Sequence, residues 1–234
     1  MKFQKKLIKA KFLKRYKRFF SEHVLEDNTT VIAHCPNPGA MTGIAIAGVT
    51  SWLSIQENPK RKLKWTWELV NINNNLIGIN THNPNNIVAE AIKDNKIKEV
   101  LGYKTLSREA KYGQNSKIDI LLEYENKEDC YLEVKNVHLS RYKEIAEFPD
   151  SVTERGKKHL IELSNVVLSG KRAILLFLIQ RNDTKLFKIA KDIDPKYFVE
   201  FEKALSVGLE VICLSCNITP EEINIGPRVK LSVE

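Results

Sequence analysis

The chain has 234 residues, 43% of them hydrophobic, which is enough for one large or two small domains with their own apolar cores. Its few cysteines do not form a secreted disulfide scaffold, and its longest apolar run, Ala173 to Ile179, is too short to cross a bilayer. Basic residues outnumber acidic ones by 37 to 29, and the net charge of +8 favours a polyanionic partner.

Positive charge is concentrated at the N-terminus. No acidic residue precedes Glu22, whereas these basic residues do: Lys2, Lys5, Lys6, Lys9, Lys11, Lys14, Arg15, Lys17 and Arg18. Nucleic acid or an anionic membrane could bind such a segment, but it lacks the long apolar helical face that surface anchoring requires. Signal peptides also begin with basic residues, but no apolar core of signal-peptide length follows within the first thirty residues of this sequence. We therefore expect a cytoplasmic protein that binds nucleic acid rather than a membrane.

The N-terminal third of the chain has the pattern of short strands separated by turns. The predicted strands are Lys5–Phe12, Tyr16–Leu25, Thr30–His34, Thr50–Gln56, Thr66–Ile72 and Leu76–Ile79. Turn signals interrupt them at 26–28, 36–39, Asn58-Pro59 and 73–75. This pattern predicts a small five-stranded OB-type barrel over residues 1–82.

Aromatic and basic side chains are interleaved in this barrel, a combination that OB-type barrels use to bind nucleic acid. We expect most of the rings to form the core. Trp65 and Trp67 are the rings that we expect to face a ligand. Four basic residues precede them: Lys60, Arg61, Lys62 and Lys64.

A second domain is predicted over residues 83–234. The Asn83-Pro84-Asn85-Asn86 break is followed by apolar residues at helical spacing, which predicts a helix over Ile87–Asn95 that begins after an Asn cap. A pattern of helix, hairpin, helix and strands then occupies 87–95, 116–124, 130–138, 153–168, 172–180, 197–206 and 209–214. This pattern indicates a mixed α/β domain.

The predicted helix from Thr153 to Leu168 begins with a cluster of charges. Its first two turns contain Glu154, Arg155, Lys157, Lys158 and His159. Such charges are usually solvated surface, but after the Phe148-Pro149-Asp150 turn they could also contact phosphate.

The hairpin carries the candidate chemistry. Asp119 and Glu133 are 133 − 119 = 14 positions apart, so a turn near Asn126 places them opposite each other. Because side chains alternate along a strand, Glu133 and Lys135 share a face, and Cys130, Leu132 and Val134 point the other way. Paired carboxylates suit Mg²⁺, and a neighbouring ammonium can orient a water or stabilise developing charge, so we predict metal-assisted phosphodiester hydrolysis.

A cross-strand ion pair is the alternative interpretation of this hairpin. Glu-x-Lys also occurs at Glu109 and Glu125, so the tripeptide alone is not specific. The copy at Glu133 differs because it lies within an apolar strand, where charged groups need partners.

We expect the four cysteines, Cys35, Cys130, Cys213 and Cys216, to be reduced. Cys213 and Cys216 have the spacing of half a zinc knuckle. However, residues three apart on a strand face opposite sides and the sequence has no second such pair, so packing is favoured over zinc.

Several longer motifs resemble the sugar fermentation stimulation protein family. The residues that carry the resemblance are 34–41 (HCPNPGAM), 116–119 (SKID), 133–137 (EVKNV) and 148–160 (FPDSVTERGKKHL), with 15–19 (RYKRF) and 111–113 (KYG) at the flanks. They extend over nearly the whole chain.

The resemblance implies an OB-like domain followed by a domain similar to the PD-(D/E)xK nucleases, in a protein that binds DNA with little sequence preference. Asp119 and Glu133 then match the metal-binding carboxylates, Lys135 the nuclease lysine, and Glu90 an additional acid for which Glu99 and Glu109 compete. Lys117 stands where the family usually has arginine, so it keeps the charge and loses the bidentate fork.

Three functions stay open at this stage. The protein binds double- or single-stranded DNA, it also cleaves DNA with Mg²⁺ or Mn²⁺, or it is a regulatory module that recruits a transcription regulator and affects sugar metabolism. The residues expected to contact DNA are Lys14, Arg15, Lys17, Arg18, Lys62, Lys64, Trp65, Lys117, Arg155, Lys158 and His159. The sequence leaves the oligomeric state open, with a dimer possible.

Overall fold

Six strands form the N-terminal part of the protein in the computed structural model, which describes residues 1–57, 60–112 and 116–232. They are β1 (Ile8–Tyr16), β2 (Phe20–Leu25), β3 (Thr30–His34), β4 (Thr50–Ile55), β5 (Trp65–Ile72) and β6 (Asn75–Gly78). The parallel pairing of β3 with β5 closes the first five into a ring, and β6 pairs with β5 outside it. The predicted OB-like barrel is confirmed. The predicted turn at Asn58-Pro59 and the motif residue Gly113 lie outside the described residues.

Trp67 lies at the centre of the barrel core. It is fully buried, its ring stacks on Phe12 with 4.5 Å between centroids, and its Nε1 donates to the Leu69 carbonyl at 2.9 Å. Trp65 is half-buried and packs against the same core. The expectation that Trp67 faces a ligand is therefore wrong, because its face of β5 packs into the barrel.

A six-stranded sheet forms the second part of the chain. Its strands in spatial order are β15 (Ile223–Arg228), β14 (Glu210–Ile218), β12 (Arg172–Ile179), β9 (Cys130–Val137), β8 (Ser116–Glu123) and β7 (Thr105–Tyr112). A second sheet contains β10 (Leu139–Tyr142), β11 (Ile145–Phe148), β13 (Leu186–Ile189) and β16 (Lys230–Leu231). The helices are α1 (Pro84–Lys93), α2 (Glu154–Leu168) and α3 (Pro195–Ser206), with a 3₁₀ turn at Lys98–Val100. The predicted mixed α/β class is confirmed.

β12 is the central buried strand of this sheet. Ile174 and Leu176 pack with α1 on one face, and Leu175 and Phe177 pack with α2 and α3 on the other. These faces are called the α1 side and the α2 side below. Because both faces are covered, β12 is a continuous apolar run, the pattern of a buried parallel strand.

Two local expectations need correction. Residues 197–206, grouped with the strands above, form most of α3, because Asp194 caps this helix and residues at helical spacing, such as Tyr197 and Phe201, are buried. Asn83 does occupy the N-cap position of α1, but its side chain makes no capping bond. Instead, Asn83 Nδ2 donates to Glu68 Oε2 of the barrel at 3.3 Å.

The cysteines on β14 behave as packing residues. Cys213 lies in the core on the α2 side and Cys216 in the core on the α1 side, so the two thiols face away from each other as predicted. No helix in the described ranges is both long and apolar enough to span a membrane.

Candidate active site

Asp119 lies where β8 and β9 separate. The ladder between these strands ends at the pair Ile120–Leu132, and one more step in the same register would place Asp119 opposite Glu133. At that point the Asp119 side chain replaces the ladder, because its Oδ2 accepts a hydrogen bond from the Val134 N–H at 2.8 Å. The hairpin register derived from the spacing is therefore the one observed.

Glu133 and Lys135 share the α2 side of β9, as strand alternation requires. Lys135 Nζ donates to Glu133 Oε1 at 2.7 Å, and His159 Nδ1 bonds to the same oxygen. Glu133 is only 3% exposed. Its second oxygen, Oε2, is buried and has no hydrogen-bond partner within the described residues, so one lone-pair site in this cluster lacks a donor.

The first turns of α2 bring His159 to Glu133. Thr153 caps the helix, with its Oγ1 accepting from the Gly156 N–H at 3.0 Å. Arg155 Nε donates to His159 Nε2 at 3.3 Å, so the other ring nitrogen, Nδ1, is the one that contacts Glu133 Oε1 and lies 3.2 Å from Lys135 Nζ. His159, expected to contact DNA, is therefore placed as a buried partner of Glu133.

The pKa values of Asp119 and Glu133 are shifted in opposite directions. Burial and the nearby Glu133 raise the pKa of Asp119, against the opposing effect of the Val134 N–H. Burial also acts to raise the pKa of Glu133, but Lys135 and His159 outweigh it, and the pKa of Glu133 lies below its ordinary value. Burial, with Glu133 and Glu162 nearby, raises the pKa of the Tyr112 phenol. Asp119 is thus the acid that gains most from an added positive charge.

A hard divalent cation fits this pair of acids. Glu133 Oε2 has no donor among the described residues, and burial, followed by the charge of Glu133, raises the pKa of Asp119. Mg²⁺ commonly takes one or two protein carboxylates and completes its shell with water and phosphate oxygens. The part of the chain that the structure describes holds no group of three or more His, Cys, Asp or Glu side chains arranged for a metal, so the fit depends on Asp119 and Glu133.

Glu90, the predicted additional acid, is placed apart from this cluster. It is exposed on α1 and pairs with the Met1 amino group at 3.1 Å. The α1 residue that reaches the cluster is Asn85, whose Nδ2 donates to Asp119 Oδ1 at 2.7 Å. Sequence reasoning missed this contact, because Asn85 belongs to the segment interpreted as a helix boundary.

A groove runs along α2. Its volume is about 990 Å³, and Lys111, Lys157, Lys158 and Lys171 line it together with Tyr112, Tyr131, Glu154 and Glu162 among others. Lys158 is exposed and lies 3.6 Å from Glu162. Lys117 is exposed on β8, paired in register with Lys111, and Arg155 is exposed at the start of α2. These predicted DNA contacts are therefore gathered on one domain and accessible.

The basic barrel residues that we predicted to contact DNA differ in accessibility. Lys17 and Arg18 form the exposed turn between β1 and β2, where the sequence had predicted the start of a strand, with φ of 48° and 62°. Arg15 is instead held by the loop that follows β3, donating to the carbonyls of Asn37 (2.7 Å) and Gly39 (3.0 Å).

The other basic residues named for the barrel are accessible. Lys14 is exposed and lies 3.3 Å from Glu22, while Lys62 and Lys64 are exposed in the segment before β5. Trp65, at the start of β5, is only half-buried. These four side chains remain predicted DNA contacts.

Fold and site together define a two-domain protein in which an OB-like barrel precedes a mixed α/β domain with paired carboxylates where two strands separate. The family described as "SfsA N-terminal OB domain" matches residues 13–79, and "Sugar fermentation stimulation protein RE domain" matches residues 82–222. The chain belongs to the sugar fermentation stimulation protein family, which confirms the resemblance seen in its motifs.

Two relatives can be aligned with nearly the whole length of this chain. The sugar fermentation stimulation protein homolog of Paramagnetospirillum magneticum is 49% identical, over 100% of this chain and 98% of its own, and that of Maricaulis maris is 48% identical, over 99% and 100%. A solved structure, Pyrococcus furiosus SfsA in complex with Ca²⁺, superposes with a TM-score of 0.90 at 24% identity, over 100% of this chain and 98% of its own. At that identity the likeness shows a shared fold.

Proposed function

We propose that this protein binds DNA with little sequence preference and hydrolyses phosphodiester bonds with Mg²⁺ or Mn²⁺. The observation that carries the proposal is the buried Glu133 Oε2, without a donor among the described residues, in a cluster with Asp119 and Lys135. Asp119 and Glu133-Val134-Lys135 fit the PD-(D/E)xK pattern, and the archaeal relative was solved with Ca²⁺, a divalent cation that also prefers oxygen ligands. Free buried cysteines agree with the expected cytoplasmic location.

Each residue of the cluster has a separate task. Asp119 and Glu133 would hold the cation, which when bound neutralises phosphate charge and acidifies a water. Lys135 keeps Glu133 ionised and lies close enough to orient a water or to stabilise charge that develops on the phosphate. His159 fixes the Glu133 carboxylate, and Asn85 fixes that of Asp119. The exposed lysines of the α2 groove and of the barrel turn supply electrostatic affinity for the DNA backbone.

Incubation of the protein with plasmid and with single-stranded circular DNA tests catalysis. We expect cleavage with Mg²⁺ or Mn²⁺ that EDTA abolishes, and a loss on the order of a hundredfold or more in Asp119→Ala and Lys135→Ala. Asp94→Ala removes an exposed acid at the end of α1 and serves as the matched control with full activity. Equal cleavage by wild type and Asp119→Ala would rule out the catalytic proposal.

A non-catalytic regulatory DNA-binding module is the second candidate. It is favoured by the two donors on Glu133 Oε1, Lys135 and His159, which stabilise that carboxylate without a metal. Thermal unfolding separates the two functions. A true site gains about 2.7 kcal/mol when the cation is present at a hundred times its dissociation constant, and Asp119→Ala loses that gain. If divalent ions leave the melting temperature unchanged while DNA still binds, the regulatory function is the correct one.

A further inference from the structure

A row of aromatic rings crosses the outer face of β1, β2 and β3. Strand register pairs Tyr16 with Phe20 and Phe20 with His34, so the three side chains are neighbours across the strands. The Tyr16 and Phe20 rings stack with 5.6 Å between centroids at an interplanar angle of 17°, and Phe19 stacks on His34 at 6.3 Å and 24°. We call Tyr16, Phe19, Phe20 and His34 the aromatic row.

The aromatic row is not part of the barrel core. Its phenylalanines and its tyrosine lie outside the three buried clusters of the described residues, whereas Phe12 and Trp67 fill the barrel interior. Phe19 is 43% exposed and the other members are half-buried. Ring surface in contact with water contributes nothing to the hydrophobic stabilisation of the barrel, so the ring surface that the two stacked pairs leave exposed is available for a ligand.

Cations surround the aromatic row. Lys14 Nζ lies 5.9 Å from the centroid of the Tyr16 ring, and Lys17 and Arg18 occupy the adjoining exposed turn. These side chains, with Arg15, line a depression of about 490 Å³ that also touches Tyr16. Glu22 is an acid of this region and is paired with Lys14. Rings with a cationic border match a ligand that has both planar apolar groups and phosphates.

His34 connects the aromatic row to the active-site domain. Burial, followed by the charge of Arg61 and a smaller effect of His82, lowers the pKa of His34, so its ring is neutral and can stack at neutral pH. His82 lies three positions before Asn85, which donates to Asp119. The row therefore ends towards the start of α1, where the carboxylate cluster is anchored.

We infer that the aromatic row binds unpaired bases, and that the nucleic acid taken by this protein has a single-stranded segment. The inference rests on the proposed DNA binding and specifies its substrate class. In a duplex each base face is covered by its neighbours, so rings can stack on bases only where the strand is unpaired. A surface that binds only duplex DNA needs the cations to contact phosphates, but exposed rings add no affinity for the duplex.

Fluorescence anisotropy in EDTA, with a labelled oligothymidylate and a hairpin duplex of equal charge, tests this inference. We expect Phe19→Ala to weaken binding of the single strand by about tenfold and to leave duplex binding within about twofold. Tyr16→Leu, which keeps apolar volume without a ring, should show the same selectivity. Tyr142→Ala removes a 54% exposed ring from β10 and is the matched control. Melting temperatures confirm that each variant is folded.

The possible failures are distinguishable. If Phe19→Ala and Tyr16→Leu affect single-strand binding no more than Tyr142→Ala, or weaken duplex binding equally, the aromatic row is not a base platform while the DNA-binding proposal stands. If wild-type protein binds neither ligand at low salt, both the inference and the proposed function are wrong.

Discussion

Glu133 in the second domain and His23 in the barrel are both buried ionisable side chains that lose solvation. Their neighbours stabilise different charge states. Glu133 keeps its charge because Lys135 and His159 bond to it. Among the described residues, His23 has neutral hydrogen-bond partners, the hydroxyls of Ser21 and Ser51, each at 2.8 Å. Burial therefore lowers the pKa of His23 to about 4, and the ring gives up its charge instead.

His23 makes the stability of the barrel depend on pH. The pKa of His23 is 6.5 in the unfolded chain and about 4 in the folded barrel, so between these pH values the unfolded chain binds a proton and the folded barrel does not. The contribution of His23 to the free energy of unfolding is therefore complete above pH 6.5 and decreases as the pH falls towards 4. From pH 7 to pH 5 the expected loss is about 2 kcal/mol. Urea unfolding followed by tryptophan fluorescence measures it, because all three tryptophans lie in β4 and β5. His23→Gln should reduce the pH dependence by that amount, and an unchanged dependence would contradict the assignment.

The sequence predicted some of the active site at this scale and missed the rest for a physical reason. Asp119, Glu133 and Lys135 could be placed together because hairpin spacing and strand alternation are local properties. Asn85 and the burial of His159 depend on how α1 and α2 dock on the sheet, which no local pattern encodes. Their roles in binding or catalysis stay predictions.

At the scale of elements, one carboxylate organises the starts of two helices. Asp194 is 3% exposed, and its Oδ1 accepts from the Tyr197 N–H at 3.0 Å, which caps α3. Its Oδ2 accepts from the N–H of Thr153, the cap of α2, at 2.8 Å. Because α2 carries Arg155 and His159, the position of the histidine that contacts Glu133 depends on this junction.

Replacement of Asp194 should therefore be more damaging than the loss of a single cap. We expect Asp194→Ala to lower the free energy of unfolding by roughly 2 to 3 kcal/mol, from a lost cap and two amide groups left without their acceptor. Asp192→Ala is the matched control, since Asp192 is exposed and pairs with Arg141 at the surface, and it should cost much less than Asp194→Ala. Urea unfolding monitored by circular dichroism compares them, and similar losses in both variants would exclude the shared junction.

Elements were predictable where they are long and packed on a continuous core. α2 and β12 agree with the sequence pattern to within a residue or two, whereas six strands of the second domain were missed: β7, β10, β11, β13, β15 and β16. Four of them have at most four residues, and the two longer ones, β7 and β15, are the edge strands of the large sheet, where burial gives a weaker apolar pattern. The helical state of α3 was obscured by its aromatic and β-branched residues, although Asp194-Pro195 is a helix-start signal.

At the scale of the whole molecule, polar contacts join the barrel to the second domain. The Gly78 N–H donates to the Gln180 carbonyl at 2.9 Å, and Gln180 Nε2 donates to the Asn80 carbonyl at 3.3 Å. On the other side of the junction, the loop that follows β3 lies against Asp150, whose carboxylate occupies the space where a Cβ on Gly39 would lie. Such contacts set where the barrel lies relative to the carboxylate cluster, and they pair residues far apart in the chain, so the sequence could not reveal them. The division at residue 82 stays a prediction.

Gly39 and Asp150 form the tightest point of this junction. A Cβ built on Gly39 would overlap the Asp150 carboxylate, whose movement is limited because His138 Nε2 lies 3.2 Å from its Oδ2. We expect Gly39→Ala to destabilise the protein by roughly 1 to 3 kcal/mol, the range of overpacking. In the background of Asp150→Ala, where the overlapping atoms are absent, the same substitution should cost much less.

The coupling between the two substitutions, measured by urea unfolding in a double-mutant cycle, reports the contact itself rather than the sum of two losses. A coupling near zero would mean that the barrel loop does not rest on Asp150. A clear coupling would show that the barrel loop rests on Asp150, and slower cleavage by Gly39→Ala than by Asp94→Ala would show that the proposed reaction depends on this seating of the barrel on the second domain.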